Sequence, residues 1–246
     1  MPKKKQTDAL AWVKKAVVKR DREWRYPGLV APRVLGGKTF ASDSFRLHIV
    51  HAHAPLCEDA RALPAPPNYS TVLAQARELP TVGAITRDDL SQAVKAATAI
   101  KPWDKGVVLW VNGALDVRAE NPAEDGGDIA AHIKHGEKIV ARWLGGKQRG
   151  CVERETFYIH TGPDASIKVN AKYLLDALAG MPDVVGFRLR QETPEDDSPM
   201  LYLGGVVDGV EREAVIMGME RDELTGKQKP EEKENDDGND HQNQNG

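Results

Sequence analysis

The chain has 246 residues, 40% of them hydrophobic, and a formal net charge of −3. That length holds one large domain or two modest ones with real cores, and no apolar run approaches the roughly 18–20 residues needed to span a membrane. The charge is uneven: from Glu220 to Gly246 nine acids oppose four bases, a net −5 that leaves +2 on residues 1–219. A body so mildly basic excludes a tight electrostatic nucleic-acid binder. Met1-Pro2-Lys3-Lys4-Lys5 is basic, with no apolar signal core behind it. Cys57 and Cys151 stand far apart in no metal-ligand spacing, so a reducing cytoplasm and no disulfide are expected.

Thr7 to Lys19 reads as a helix, because Ala9, Leu10, Trp12, Val13, Ala16 and Val17 recur near a 3.6-residue period. Pro27-Gly28 breaks the chain. Strands follow at Leu29–Leu35, Lys38–Ser42 and Arg46–Ala52, with Gly36-Gly37 as a turn. The stretch from Pro55 to Pro80, with Pro64, Pro66 and Pro67, reads as an extended connection. Next come a strand at Thr81–Ile85, a helix at Arg87–Ile100, and strands at Gly106–Val111 and Ala114–Glu120 around a two-residue Asn112-Gly113 turn. Asp128–His135 is a further strand, whereas Ala141–Arg154 reads as irregular and basic. Strands at Thr156–His160 and Ile167–Val169 precede a helix at Asn170–Gly180, which Asn170 can cap. Strands near Val184–Arg190, Met200–Gly204 and Glu213–Met217 close the sequence of elements. From Thr225 the composition is that of a disordered acidic tail.

One unit, a helix followed by three strands, therefore starts near Thr7, Arg87 and Asn170, about 80 residues apart. Such a period indicates stacked modules.

The wording of these modules is specific. Val169 to Leu178 (VNAKYLLDAL), followed by Val215 to Met219 (VIMGM), resembles the last domain of the bacterial DNA sliding clamp, the β subunit of replicative DNA polymerase III. Arg87 to Ala97 (RDDLSQAVKAA) and Gly113 to Gly136 resemble its first helix and following strands. Ala9 to Asp21 (ALAWVKKAVVKRD) resembles the helix of the middle domain, and the Ser42 to Leu47 turn and Pro66 to Leu73 resemble segments that follow it. The resemblance implies an α+β DNA-clamp fold of repeated helix-plus-antiparallel-sheet modules, helices on the inner face and sheets outside. It also implies a shortened homologue, of the kind a phage or plasmid would carry. The expected division is 7–79, a one-module middle-like domain with its connection; 80–219, a complete two-module last domain; and 220–246, the tail.

The resemblance also implies a site. Clamp partners insert a short peptide between middle and last domains. Carried over by position, that groove is Ser44, Phe45, Arg46, Leu47, Pro67, Thr71, Val72, Asn170, Tyr173, Pro199, Val215, Ile216, Met217, Gly218 and Met219. Leucine and methionine make an adaptable apolar pocket. Three positions depart from the family: Ser44 for glycine, Thr71 for a basic residue, Gly218 for proline. The candidate DNA-facing bases are Lys14, Lys15, Lys19, Arg20, Arg22, Lys95, Lys101, Lys168 and Lys172, whose phosphate contacts would carry no sequence information.

His51 and His53 share one strand face, as metal ligands can, but no carboxylate or cysteine joins them at matching spacing, so they read as the polar face of a strand. No nucleophile–base pair is legible. The expectation is a non-enzymatic processivity factor without cofactor or metal. It would ring duplex DNA as a homo-oligomer, a tetramer by module count or a dimer through a new interface. It would bind polymerase and other clamp-binding peptides, with a clamp loader as a further partner. The alternative is a clamp-derived module that binds peptides or clamp subunits without encircling DNA.

Overall fold

The computed structural model describes residues 8–18, 27–53, 64, 68–100, 105–119, 128–144, 147–190 and 199–219. The first unit holds helix α1 (Ala9–Lys14), a 3-10 turn (Pro27–Leu29) and strands β1 (Arg33–Leu35), β2 (Lys38–Ser42) and β3 (Arg46–Val50). Helix α2 (Ser70–Arg77) follows. The second unit is β4 (Thr81–Thr86), α3 (Arg87–Ala99), β5 (Gly106–Val111), β6 (Leu115–Ala119) and β7 (Asp128–Lys134). Then come β8 (Glu137–Leu144), β9 (Lys147–Arg154) and β10 (Tyr158–Thr161). The third unit is β11 (Ala165–Asn170), α4 (Ala171–Leu178), β12 (Val184–Leu189), β13 (Met200–Val207) and β14 (Val210–Met217).

The second and third units exchange their opening strands. β4 pairs with β12 of the third unit, and β11 pairs with β5 of the second. Neither unit completes its sheet alone, so the two fold together. The outcome is an eight-stranded sheet, β1-β2-β3-β14-β13-β12-β4-β10, and a six-stranded one, β11-β5-β6-β7-β8-β9. The first unit joins the third through β3 and β14, with Leu47 opposite Val215. One sheet therefore runs across the expected boundary at residues 79 and 80.

The main core lies where α1, α3 and α4 cover both sheets. Val107, Leu109, Val117 and Ile133 enter it from the smaller sheet, and Val185, Leu201, Leu203, Ala214 and Ile216 from the larger. A second cluster lies on the opposite face of the larger sheet under α2, and contains Phe40, Leu47, Ile49, Leu73, Ala76, Leu79, Met200 and Val215. The period-2 alternation of strands sends Leu47 and Ile49 one way and His48 and Val50 the other.

Several expectations are corrected. The connection before Pro80 contains α2, where Leu73 and Ala76 are buried and the Asn68 side chain accepts the Ser70 N–H at 3.0 Å. The segment expected to be irregular, Ala141–Arg154, lies in the β8–β9 hairpin, paired from Glu137↔Arg154 to Leu144↔Lys147. Its last strand is a sheet edge, where charge and glycine are tolerated because one side needs no partner. The described part of the first helix ends at Lys14 and continues as i→i−3 turns through Val17. The turn after β5 has three residues, since Val111 pairs with Leu115. The acidic tail lies outside the described residues.

Candidate functional site

A cavity of about 280 Å³ opens between α2 and the β2–β3–β14 part of the larger sheet. β3 supplies Arg46 and Leu47, and β14 supplies Val215 and Met217. α2 supplies Val72, with Asn68 and Tyr69 just before it. β2 adds Phe40 and Ser42, the following turn adds Ser44, and the 3-10 turn adds Leu29. The walls are largely apolar, with Ser42, Ser44, Arg46 and Asn68 as polar groups among them, the usual form of a site that anchors apolar side chains. The Phe40 and Tyr69 rings meet at 4.2 Å with a 41° tilt, tying the entry of α2 to the sheet.

The turn beside the cavity is locally determined. Asp43 Oδ1 accepts the N–H groups of Phe45 and Arg46, each at 3.1 Å. Ser44 between them adopts φ 75°, the left-handed region that glycine occupies without cost. The family glycine at this position thus has a conformational reason. Arg46 is 5% exposed. Its Nε donates to Asp43 at 3.0 Å, Nη1 to Asp176 at 2.8 Å, and Nη2 to the Lys15 carbonyl. Its guanidinium also lies 4.2 Å above the Tyr173 ring. Burial would raise the Asp176 carboxyl, but hydrogen bonds from Lys172 and Arg46 hold it below the usual range. Arg46 therefore joins the cavity wall to α1 and α4 with its charge already matched.

Six of the groove residues expected from sequence line this cavity: Ser44, Arg46, Leu47, Val72, Val215 and Met217. Others fall elsewhere. Ile216 is fully buried in the main core, because neighbours along a strand face opposite ways. Asn170 caps α4, accepting the Lys172 and Tyr173 N–H groups at 3.0 and 3.3 Å. Tyr173 lies beneath Arg46. Phe45 is 45% exposed and Thr71 is exposed. Pro199 is buried, and its carbonyl accepts the Gly218 N–H at 2.7 Å. Met219 N–H donates to the Lys168 carbonyl at 2.8 Å. Pro67 lies outside the described residues. Leu29, Phe40, Ser42, Asn68 and Tyr69 were not expected; the alternation of β2 against β3 was the available signal for Phe40 and Ser42.

Among the proposed DNA-facing bases, Lys14 on α1, Lys95 on α3 and Lys172 on α4 are exposed, on three helices that cover the same side of the sheets. Lys15 is 3.6 Å from Asp176, and Lys172 pairs with the same carboxylate. Lys168 is corrected: at 3% exposure on β11 it is covered and cannot reach a phosphate. Lys19, Arg20, Arg22 and Lys101 lie outside the described residues. The His51 strand end acquires carboxylates that spacing did not reveal, because Glu211 and Glu213 reach it from β14, some 160 residues away in sequence. No helix among the described residues is long and apolar enough to cross a membrane.

This architecture, exchanged helix-and-strand units with three helices on one side and a cavity where the first unit meets the third, is the DNA-clamp fold. Neither a family model nor a curated protein matches the sequence. Solved structures do match. DNA polymerase III subunit beta from Pseudomonas aeruginosa superposes with TM-score 0.55 at 19% identity, over 86% of this chain and 63% of that one. The DnaN sliding clamp of Bartonella birtlesii, bound to griselimycin, gives 0.58 at 15% identity, over 87% and 64%. The beta subunit of Streptococcus pyogenes DNA polymerase gives 0.56 at 13% identity, over 87% and 63%. The chain thus spans a little under two thirds of the clamps it resembles, and at these identities the likeness establishes the fold.

Proposed function

We propose that the protein is a shortened sliding clamp: a non-enzymatic processivity factor that surrounds duplex DNA as a homo-oligomer and tethers a polymerase through the cavity beside α2. The observation carrying this reading is the convergence of Ser44, Arg46, Leu47, Val72, Val215 and Met217 on one apolar cavity at the junction of two units. Residues 7–79 act as a half-size middle domain and 80–219 as a full last domain. Three units per chain and a twelve-unit ring give four chains, with a loader to open the ring in the cytoplasm. Lys14, Lys95 and Lys172 would meet phosphates without reading sequence. The test is retention on DNA. The protein should stay on closed circular DNA and leave when the circle is cut; equal retention on both forms would sink the ring. Griselimycin, the ligand of the Bartonella clamp, probes the cavity independently.

A second reading, a peptide- or clamp-binding module that does not encircle DNA, has its own support. β14, the last strand of the third unit, has its edge taken by β3 of the first unit. The corresponding edge of the second unit, β7, is taken by the chain's own β8–β9 hairpin. A neighbour cannot join there as β3 joins β14. A monomer at micromolar concentration in light scattering, with the cavity still binding its ligand, would favour this reading.

A further inference from the structure

The cavity has one wall that is not part of a sheet. α2 has eight residues and buries only Leu73 and Ala76, too little apolar surface to fix a short helix by itself. The Phe40–Tyr69 contact ties down its entry, and the attachment at its far end is polar. Arg77, in its last turn, forks onto Glu213 of β14, with Nε to Oε1 and Nη2 to Oε2 both at 2.7 Å. Glu213 is fully buried. It also accepts the Tyr202 hydroxyl at 2.8 Å and contacts His51 Nε2 at 2.5 Å. Gly204 makes room for the tyrosine, since a Cβ there would stand 2.6 Å from the Tyr202 hydroxyl. Two residues further along β14, on the same face, Val215 lines the cavity.

His51, Glu211 and Glu213 bring ligand atoms within 4.8 Å of one another, the composition of a metal site. The bonding argues otherwise. Both Glu213 oxygens already serve two donors each, and one donor is a guanidinium, whose charge would repel a cation. Removing one partner would leave a buried charge exposed to its full desolvation cost.

We propose that Glu213 is the positioning residue of the cavity: through Arg77 it holds α2 over the sheet and sets the gap between Val72 and the Leu47–Met217 wall. This deepens the reading of the cavity as a partner site and rests on it for the ligand. Its test is hydrogen exchange of the α2 amides together with griselimycin binding, in the full chain. Arg77 makes two charge-assisted hydrogen bonds to Glu213, stronger than neutral ones though partly screened at the exposed guanidinium. Arg77→Met should therefore speed exchange across residues 70–77 about tenfold or more, leave β13 and β14 at wild-type protection, and weaken griselimycin about tenfold. Arg77→Lys, which keeps the charge but not the fork, should recover part of both. Unchanged α2 protection in Arg77→Met would overturn the proposal. So would equal loss of protection in β3, β13 and β14, which marks general loosening. Zinc binding by the wild type that vanishes in Glu213→Gln would overturn it in favour of a metal site. If α2 responds as expected and the wild type ignores griselimycin, Glu213 keeps its role and the ligand assignment fails.

Discussion

The indole Nε1–H of Trp12 donates to the carbonyl of Ala177, 2.9 Å away and 165 residues later in the chain. A second acceptor, the Asp176 carbonyl, lies at 3.1 Å. The last carbonyls of a helix lack intrahelical partners, so Trp12 of α1 completes the end of α4. The fit is close: a Cβ on Gly180 would stand 2.3 Å from the indole. The first unit is thus held to the third by a side chain as well as by the β3–β14 pair. Trp12→Ala removes a fully buried side chain and should cost about 3–5 kcal/mol, read as a lower urea midpoint. Protection of β1–β3 should fall more than that of β5–β7 in hydrogen exchange.

His48 stacks on Trp12 at 4.6 Å and 14°, with Nδ1 3.1 Å from the Trp12 carbonyl. Burial pushes its pKa down to about 3, against a partial upward pull from that carbonyl. The folded value is therefore below the unfolded one, near 6.5, and the unfolded chain takes up the proton first. Stability is complete above pH 6.5 and falls as pH drops toward 3. The slope is about 1.4 kcal/mol per pH unit, or about 2 kcal/mol between pH 6.5 and 5. Asp176 and Glu213, whose pKa values are lowered, titrate below that window. His48→Gln keeps a donor for Trp12 and should flatten denaturation midpoints over pH 5–6.5; an unchanged slope would show that His48 is not the titrating group.

Gly218 stands where the clamp family has proline. Its N–H bonds to Pro199, and a Cβ would meet Pro199 carbons at 2.6 and 2.9 Å. Gly218→Pro removes the bond and forces the contact, at about 2–4 kcal/mol. Gly218→Ala should cost less, since it keeps the N–H. Thermal melts of the pair separate the two contributions.

Lys138 of β8 is 1% exposed and reaches Asp89 at 2.6 Å, Glu153 at 2.8 Å and Gln92 at 2.9 Å. It fastens the hairpin beneath α3. Lys138→Met leaves Asp89 buried without its counter-charge and should cost about 3–5 kcal/mol. Adding Asp89→Leu should restore much of that loss, and failure to do so would place the cost in packing rather than charge.

Val72 is half-buried at the cavity. If the cavity takes griselimycin as proposed, Val72→Arg should weaken that binding at least about tenfold while costing stability about 1 kcal/mol, since Val72 packs at the edge of the second cluster. Isothermal titration and a melt on the same sample decide it.

Much of the architecture was legible because it is encoded locally. The alternation in Arg46–Val50 and the apolar run within Glu213–Met217 mark strands, and Asn170 marks the start of α4. The repeat of helix and three strands was visible as a period in the sequence. The groove was legible only through resemblance, and only in part. Val215 and Ile216 belong to one motif, yet the pleat assigns one to the cavity and the other to the core.

By itself, then, the sequence determined most helices and strands, though not α2 or the β8–β9 hairpin, together with the repeat of three units and the residues from which a clamp-like groove is drawn. Tertiary structure decided that β4 and β11 exchange sheets, that α2 roofs the cavity, that β8–β9 closes the edge of β7, and that Lys168 is buried. It also decided that Glu213 meets Arg77 and His51. The physical reason is range: helix and strand signals act over a few residues. Partners such as Trp12 and Ala177, or Glu213 and His51, lie some 160 positions apart and meet only when the whole chain has packed.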